Sequence, residues 1–324
     1  MAKNSNLHAA KAAKNDEFYT LLTDIEKEMS YYKDFFKGKV VYCNCDDARE
    51  SNFFKYFSKN FEFLGLKKLI TTGYKAEGKG VVLIYEGDKN GNRKVEDSEI
   101  VVRQLEGSGD FRSAECIEFL KEADVVVTNP PFSLFREYVR RLMDYGKKFL
   151  VIGSMNAITY KEIFPYIKNN ELWLGVSMNG ANRWFYAPDN YEVKENAAGY
   201  KVEDGRKMFF VNGVVWFTNI SNEKRNKKLD LFRRYSNEYP KYDNYDAIEV
   251  SRVENIPMDY DGVMGVPISF LHKYNPEQFE IVGCTESEGK GFSNGLWDEK
   301  SGVAQPLVSQ KRVYKRIFIK KVFA

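Results

Sequence analysis

The chain is poor in residues that hold metals or form disulfides. Four cysteines and two histidines in 324 residues leave little material for either. Cys43 and Cys45 share one face of an expected strand, but no third and fourth ligand follows at a recognisable spacing, so no metal site is expected. Buried, reduced thiols fit the pattern better. No stretch approaches the ~20 consecutive apolar residues that span a bilayer. The opening Met1-Ala-Lys-Asn-Ser-Asn-Leu-His8 has no apolar leader core. A cytoplasmic protein without membrane contact is the expectation. An excess of one charge is also missing: 49 basic against 46 acidic residues give a net +3, too little to name a partner. Repeats and low-complexity tracts are absent, and 43 % hydrophobic content argues against a disordered chain.

Aromatic residues, by contrast, are abundant at 15 %, and several lie among clustered cations. Lys224, Arg225, Lys227, Lys228, Arg233 and Arg234 form one group with Phe232 and Tyr235. Lys311, Arg312, Lys315, Arg316, Lys320 and Lys321 form another with Tyr314 and Phe318. Two solvated faces are the plain reading. Cations for phosphates beside rings for sugars and bases are the functional one.

Up to about residue 220 the apolar pattern alternates between helical and strand periods. Helices are expected over Leu21–Phe36, Glu50–Leu64, Ser113–Ala123, Leu134–Tyr145 and Tyr160–Lys168. Strands are expected over Lys39–Cys45, Leu66–Tyr74, Val125–Thr128, Lys148–Gly153 and Leu172–Met178. Val81–Tyr85 and Ile100–Gln104 flank the polar run Asp88–Arg93 as a hairpin that interrupts the rhythm. Phe209–Phe217 reads either as a hairpin about Asn212-Gly213 or as one strand broken at a bulge. Such alternation specifies an α/β fold with a mostly parallel sheet covered on both faces. Past residue 220 it stops. The expected organisation is a flexible arm at 1–15, a main domain at 16–220 and a smaller domain at 221–324.

The stretch richest in chemistry is Asp124-Val-Val-Val-Thr-Asn-Pro-Pro-Phe132. A short apolar run bounded by turn formers reads as a fully buried parallel strand. The two prolines then fix φ, keep the preceding residues extended and remove two backbone donors. The strand therefore ends in a stiff tetrapeptide carrying an amide side chain, a carbonyl and a ring, at the sheet edge where open α/β folds bind ligands. An amide oxygen and a carbonyl beside a flat ring suit a planar heterocycle with an exocyclic amine. The nitrogen of such an amine is a poor nucleophile, because its lone pair is delocalised into the ring. Two acceptors, the Asn129 side-chain oxygen and the Pro130 carbonyl, would favour a pyramidal nitrogen with a localised pair. Phe132 would stack on the heterocycle. Catalysis of this kind is positioning and electrostatics, with no covalent intermediate. A simple Pro-Pro turn after a buried strand is the plainer alternative.

The ordered set Asp16-Glu-Phe-Tyr-Thr20, Val40-Val-Tyr-Cys-Asn-Cys-Asp-Asp47, Gly109-Asp-Phe111 and Asn129-Pro-Pro-Phe132 resembles the EcoRI-type family of adenine-N6 DNA methyltransferases. Ser51-Asn-Phe-Phe-Lys-Tyr-Phe57, Gly153-Ser-Met-Asn-Ala-Ile-Thr159 and Tyr274-Asn-Pro-Glu-Gln-Phe279 extend the likeness over nearly the whole chain. The resemblance implies a Rossmann-like, S-adenosylmethionine-dependent methyltransferase domain with a smaller C-terminal target-recognition domain. It implies S-adenosyl-L-methionine as methyl donor, double-stranded DNA as partner and a flipped-out adenine as substrate.

By the same resemblance Tyr19 and Thr20 meet the methionine end of the cofactor, or serve only as an N-terminal anchor. Cys45, Asp46 and Asp47 lie where the first strand opens onto the cofactor; capping of the next helix is the alternative for the two carboxylates. Asp110 and Phe111 match the adenine contact of the cofactor, unless Asp110 only caps the helix near Ser113. Asn129, Pro130, Pro131 and Phe132 form the catalytic element, with Asn129 bordering the cofactor as well. One of Trp184, Phe185 and Tyr186, in Asn182-Arg-Trp-Phe-Tyr186, walls the base pocket or packs in the core. Arg225, Lys227, Arg233 and Arg234 hold the DNA.

Two departures stand out. The glycine-rich loop common after the first strand of methyltransferases is replaced by Asn44-Cys45-Asp46-Asp47, and the second strand ends Thr72-Gly73-Tyr74 without the usual acid. The ribose contact falls by default to Asp46 or Asp47. The resulting expectation is the modification enzyme of a restriction–modification system, with GAATTC offered as target. It should act as a monomer or weak dimer, beside a cognate endonuclease with which it forms no stable complex. Methylation of adenine in RNA and a catalytically silent DNA-binding relative are the alternatives.

Overall fold

The computed structural model describes residues 19–75, 77–180, 183–187, 199–285 and 292–322, with the side chains of Asp46 and Asn179 outside that description. The arm expected at 1–15, the start of the first motif at 16–18 and Asn182 lie outside the described residues. Contacts divide the chain into two compact units. One runs through Ser154 and adds Gly175–Ile220; the other comprises Met155–Leu174 and everything from Ser221.

The strands of the first unit are β1 (Val40–Asp46), β2 (Lys68–Gly73), β3 (Val81–Tyr85), β4 (Ile100–Gln104), β5 (Val125–Thr128), β6 (Lys148–Ser154), β7 (Trp173–Asn179), β8 (Arg183–Tyr186), β9 (Tyr200–Glu203), β10 (Arg206–Val211) and β11 (Val214–Thr218). Eight of them form one sheet in the order β4-β3-β2-β1-β5-β6-β11-β7. The centre is parallel: β1 pairs with β2 on one side and β5 on the other, and β5 pairs with β6. All four residues of β5 are buried, as a strand covered on both faces requires. The β3–β4 hairpin forms as expected. It adds to the edge of β2 in antiparallel register, Leu69 opposite Tyr85.

Helices cover the sheet, and their ends follow local chemistry. Ser51 caps Asn52–Lys59 by accepting from the Phe53 amide at 3.1 Å. The helix expected to run to Leu64 breaks at Asn60, whose side-chain amide donates to the Tyr56 carbonyl at 2.8 Å. A second short helix, Phe61–Leu64, ends at Gly65 with φ 62°. The helix expected over Leu21–Phe36 is Leu22–Met29 followed by a 3-10 turn at Lys33–Phe36. The one expected over Tyr160–Lys168 shrinks to Phe164–Lys168.

Both readings of Phe209–Phe217 are overturned. β10 lies in a three-stranded sheet between β8 and β9, whereas β11 joins the main sheet beside β6. The chain changes sheets at Asn212-Gly213, where Gly213 has φ 66°. A turn signal between two apolar runs looks the same whether the runs pair with each other or part.

The second unit holds β12 (Ile248–Glu249), β13 (Met264–Pro267), β14 (Phe279–Cys284), a small β15–β16 ladder (Leu307–Val308 and Lys311–Arg312) and β17 (Arg316–Lys321), with a sheet ordered β12-β13-β17-β14. This corrects the reading of the C-terminal cations and rings as one surface. Phe318 is fully buried in β17, and Arg316 forms a buried ion pair with Glu249. Among the described residues no helix is long and apolar enough to cross a membrane. The four cysteines are buried and take part in no disulfide.

Candidate active site

β1 is flanked by β2 and β5, so the connections leaving the C-terminal ends of β1 and β5 part on opposite sides. That is the topological switch point, where open α/β sheets bind ligands. Two motifs legible in the sequence meet there: Asn44-Cys45-Asp46-Asp47 ending β1, and Asn129-Pro130-Pro131-Phe132 ending β5.

Hydrogen bonds stitch the two ends together. The Thr128 hydroxyl donates to the Asn44 carbonyl, and the Tyr138 hydroxyl donates to the Asn44 side-chain oxygen. Burial pushes the Tyr138 phenol well above its ordinary pKa, so it stays a donor. Cys45 is buried and left-handed, with φ 64°. It thus takes the backbone conformation that favours glycine, at the place where the glycine-rich loop is missing. Its thiol lies 3.5 Å from the Asn44 side-chain oxygen. The missing acid after β2 also has a steric counterpart. A Cβ on Gly73 would come within 2.9 Å of the Ala48 amide nitrogen, and one on Gly109 (φ +82°) would run into the Gly73 carbonyl. Backbones close this corner so tightly that only glycine fits.

Asn129 and Pro130 are buried, and Phe132 is half-buried against the main core. The Leu134 amide turns back to the Pro131 carbonyl at 3.0 Å and starts the helix Phe135–Asp144, leaving the Pro130 carbonyl out of that turn. Gly153 of β6 makes room for the Phe135 ring, which would overlap a Cβ at that position.

The residues read as cofactor ligands divide. Tyr19 exchanges backbone hydrogen bonds with Tyr186 at 2.9 and 3.0 Å, so it does anchor the N-terminal segment. Thr20 accepts the Asn52 side-chain amide at its carbonyl (2.7 Å), and its buried hydroxyl has no hydrogen-bond partner among the described residues. Asp47 is exposed, and its carboxylate accepts the Arg49 and Glu50 amides at 2.9 and 3.0 Å within its own turn; it does not cap the next helix, which Ser51 caps. Asp110 does not cap the next helix; Ser113 does, accepting from the Cys116 amide at 3.3 Å. Asp110 instead grips the Arg112 guanidinium at 2.9 and 2.6 Å, and this holds its carboxyl below the usual range. The Phe111 ring is buried edge-on to Tyr138, with centroids 5.0 Å apart.

Among the candidate base-stacking rings, Phe185 is corrected: it is 1 % exposed and part of the core. Trp184 and Tyr186 project from the other face of β8. Lys201 lies 4.7 Å from the Trp184 ring and Arg206 3.9 Å from the Tyr186 ring. Arg225 is corrected too. It is half-buried, its guanidinium lies 3.6 Å over Trp173 and donates to Asn170, so it is spent on folding the second unit. Lys227, Arg233 and Arg234 are exposed.

Sequence reasoning missed Asn44 and Tyr138, which join the two strand ends. Tyr138 lies on the apolar face of its helix, where a ring reads as core.

The family model described as adenine-specific methyltransferase EcoRI matches residues 6–322. The Type II methyltransferase M.EcoRI of Escherichia coli is 50 % identical over 292 residues, covering 87 % of this chain and 89 % of its own. M.MpnI of Mycoplasma pneumoniae is 42 % identical, covering 85 % and 84 %. M.MgeORF184P of Mycoplasma genitalium is 38 % identical, covering 98 % of each.

Proposed function

The chain belongs to the EcoRI family of adenine-specific methyltransferases, and on that premise we propose which residues carry methyl transfer and on what substrate. The observation behind the proposal is the adjacency of Asn129–Phe132 to Asn44–Asp47 at the switch point.

S-adenosylmethionine suits the chain's own groups. The buried Thr20 hydroxyl lacks a partner among the described residues, and Phe111 offers an aromatic wall beside the anion Asp110. Thr20, Cys45, Asp110 and Phe111 would hold it, with Asp46 left as the ribose candidate because Asp47 already serves its own turn. Bound there, the sulfonium supplies an electrophilic methyl group. The substrate is adenine extruded from duplex DNA, at an unstacking cost of a few kcal/mol. The Asn129 side-chain oxygen and the Pro130 carbonyl accept its two amino hydrogens and localise the nitrogen lone pair. Phe132 stacks on the purine, with Trp184 or Tyr186 as the opposing wall. Lys227, Arg233 and Arg234 neutralise phosphates. The enzyme acts as a monomer in the cytoplasm, because each strand of a palindrome can be methylated in a separate encounter. GAATTC is the first target to test, and a cognate endonuclease need not bind the enzyme.

Methyl-labelled cofactor offered with duplex DNA and with structured RNA tests the substrate: label should enter adenine N6 in the duplex. Label in RNA alone would overturn the proposal in favour of an RNA enzyme. Phe132→Ala should slow turnover by roughly 10- to 100-fold, since stacking contributes ~1–3 kcal/mol per base. Its effect should be smaller than that of removing Asn129.

The depressed Asp110 carboxyl gives a pH prediction. A carboxylate held low stays charged above its ordinary pKa of ~3.9 and loses its contribution only as pH falls through the lower folded value. Cofactor affinity of the wild type should therefore be flat from neutral pH down to about pH 4 as far as Asp110 is concerned. Arg112→Gln removes the largest cause of the depression. It should move the acid limb of cofactor binding upward, measurable by calorimetry across pH. An unmoved limb would remove Asp110 from the cofactor site.

A further inference from the structure

Phe232, in the second unit, is 81 % exposed, more than any other large apolar side chain among the described residues. Its backbone is not loose. Upstream, Leu229 exchanges hydrogen bonds with the Gln278 side chain at 2.8 and 2.6 Å. Downstream, Arg233 bridges to Pro257 and accepts the Met258 amide at 2.8 Å. The Tyr235 amide donates to Asp259 at 2.6 Å, and the Tyr235 ring stacks on Tyr260 with centroids 4.5 Å apart. The chain is thus clamped on both sides of a ring that it holds out in water.

The surroundings select the partner. Lys227, Lys228, Arg233 and Arg234, all within five residues of this ring in the chain, are exposed, with Asp230 the one acid in the run. A protein partner would call for a contiguous apolar patch, whereas one exposed ring in a mostly basic run of the chain matches a polyanion with stacked π-faces inside. Proteins that deform DNA insert such apolar side chains between base steps and kink the duplex. We propose that Phe232 is a wedge that enters the base stack of the DNA substrate while Arg233 and Arg234 hold the flanking phosphates. The proposal rests on duplex DNA being the substrate. It assigns a deforming residue that the catalytic motifs do not contain.

The test uses the full-length enzyme with S-adenosylhomocysteine and a duplex carrying the methylated sequence, labelled at its ends for energy transfer. Wild type should bend the duplex. Phe232→Ala should abolish most of the bend and weaken binding about tenfold or more, the scale of one lost base stack. Phe232→Leu, which keeps an apolar wedge, should retain most of both. The thermal midpoint of Phe232→Ala should equal that of wild type, since the ring stands in water. The wedge is overturned if Phe232→Ala bends and binds as wild type does, or if its loss of binding comes with a lowered midpoint. A wild type that transfers no methyl group to duplex DNA would instead overturn the substrate reading, a separate result.

Discussion

Asn129→Ala will lower the rate of methyl transfer by about 10²–10³-fold, the scale on which one preorganised polar contact to developing charge is lost. The reason lies in how the side chain is held. β5 is buried along its length, Thr128 fixes its end to Asn44, and Pro130 and Pro131 stiffen the residues just beyond it. The Asn129 amide is therefore aimed by backbone that cannot adjust. Truncation leaves the adenine amine with the Pro130 carbonyl as sole acceptor and its lone pair in the ring. Duplex and cofactor affinity should stay within a few-fold, because other residues are proposed to hold the phosphates and the cofactor's adenine. Single-turnover transfer of labelled methyl, read beside equilibrium binding of both ligands, separates the two. A rate within about threefold of wild type would refute Asn129 as an acceptor, whatever the family resemblance.

Glu249→Ala will destabilise the C-terminal unit by about 3–5 kcal/mol, the cost of leaving a buried charge without its partner. Arg316 and Glu249 expose only 9 % and 6 % of their side chains. The guanidinium donates to Glu249 at 3.0 Å from Nε and 2.6 Å from Nη2. The Tyr242 hydroxyl donates to the same carboxylate, and burial, then Glu249 itself, holds that phenol protonated. The Tyr242 ring packs against Gly265, where a Cβ would overlap the hydroxyl. Urea denaturation should show the loss in the midpoint. The double replacement Glu249→Leu with Arg316→Met should recover most of it, since an apolar pair removes both desolvation costs. A loss below about 1 kcal/mol in Glu249→Ala would mean that the pair is effectively solvated.

The parallel core was legible because it is built on local periodicity. Val125–Thr128 read as a doubly buried strand and is one, and the strand at Lys39–Cys45 lies beside it as Val40–Asp46. The helix breaks at Asn60 and after Met29 were hidden, because the apolar spacing continues through them while the backbone does not. The parting of β10 and β11 was hidden for a related reason: pairing is a long-range choice. Charge runs misled in the same way. Arg316 and Phe318 look like a cation and a ring of one surface on paper, and burial withdraws both, while the Arg225 guanidinium lies over Trp173.

By itself the sequence determined the family, and with it the reaction class, because the ordered motifs are local strings, and it pointed to Asn-Pro-Pro-Phe as the element to test. It also determined that the first strand would do without a glycine-rich loop. Only the tertiary structure decided what stands in for that loop: Cys45 in the left-handed region, Asn44 tied to Thr128 and Tyr138, and Gly73 pressed against Ala48. It also decided that Asp47 and Asp110 are engaged within the chain and which cations face water. Those outcomes depend on which backbones approach within a few ångströms, and residues far apart in the chain carry no local signal of it.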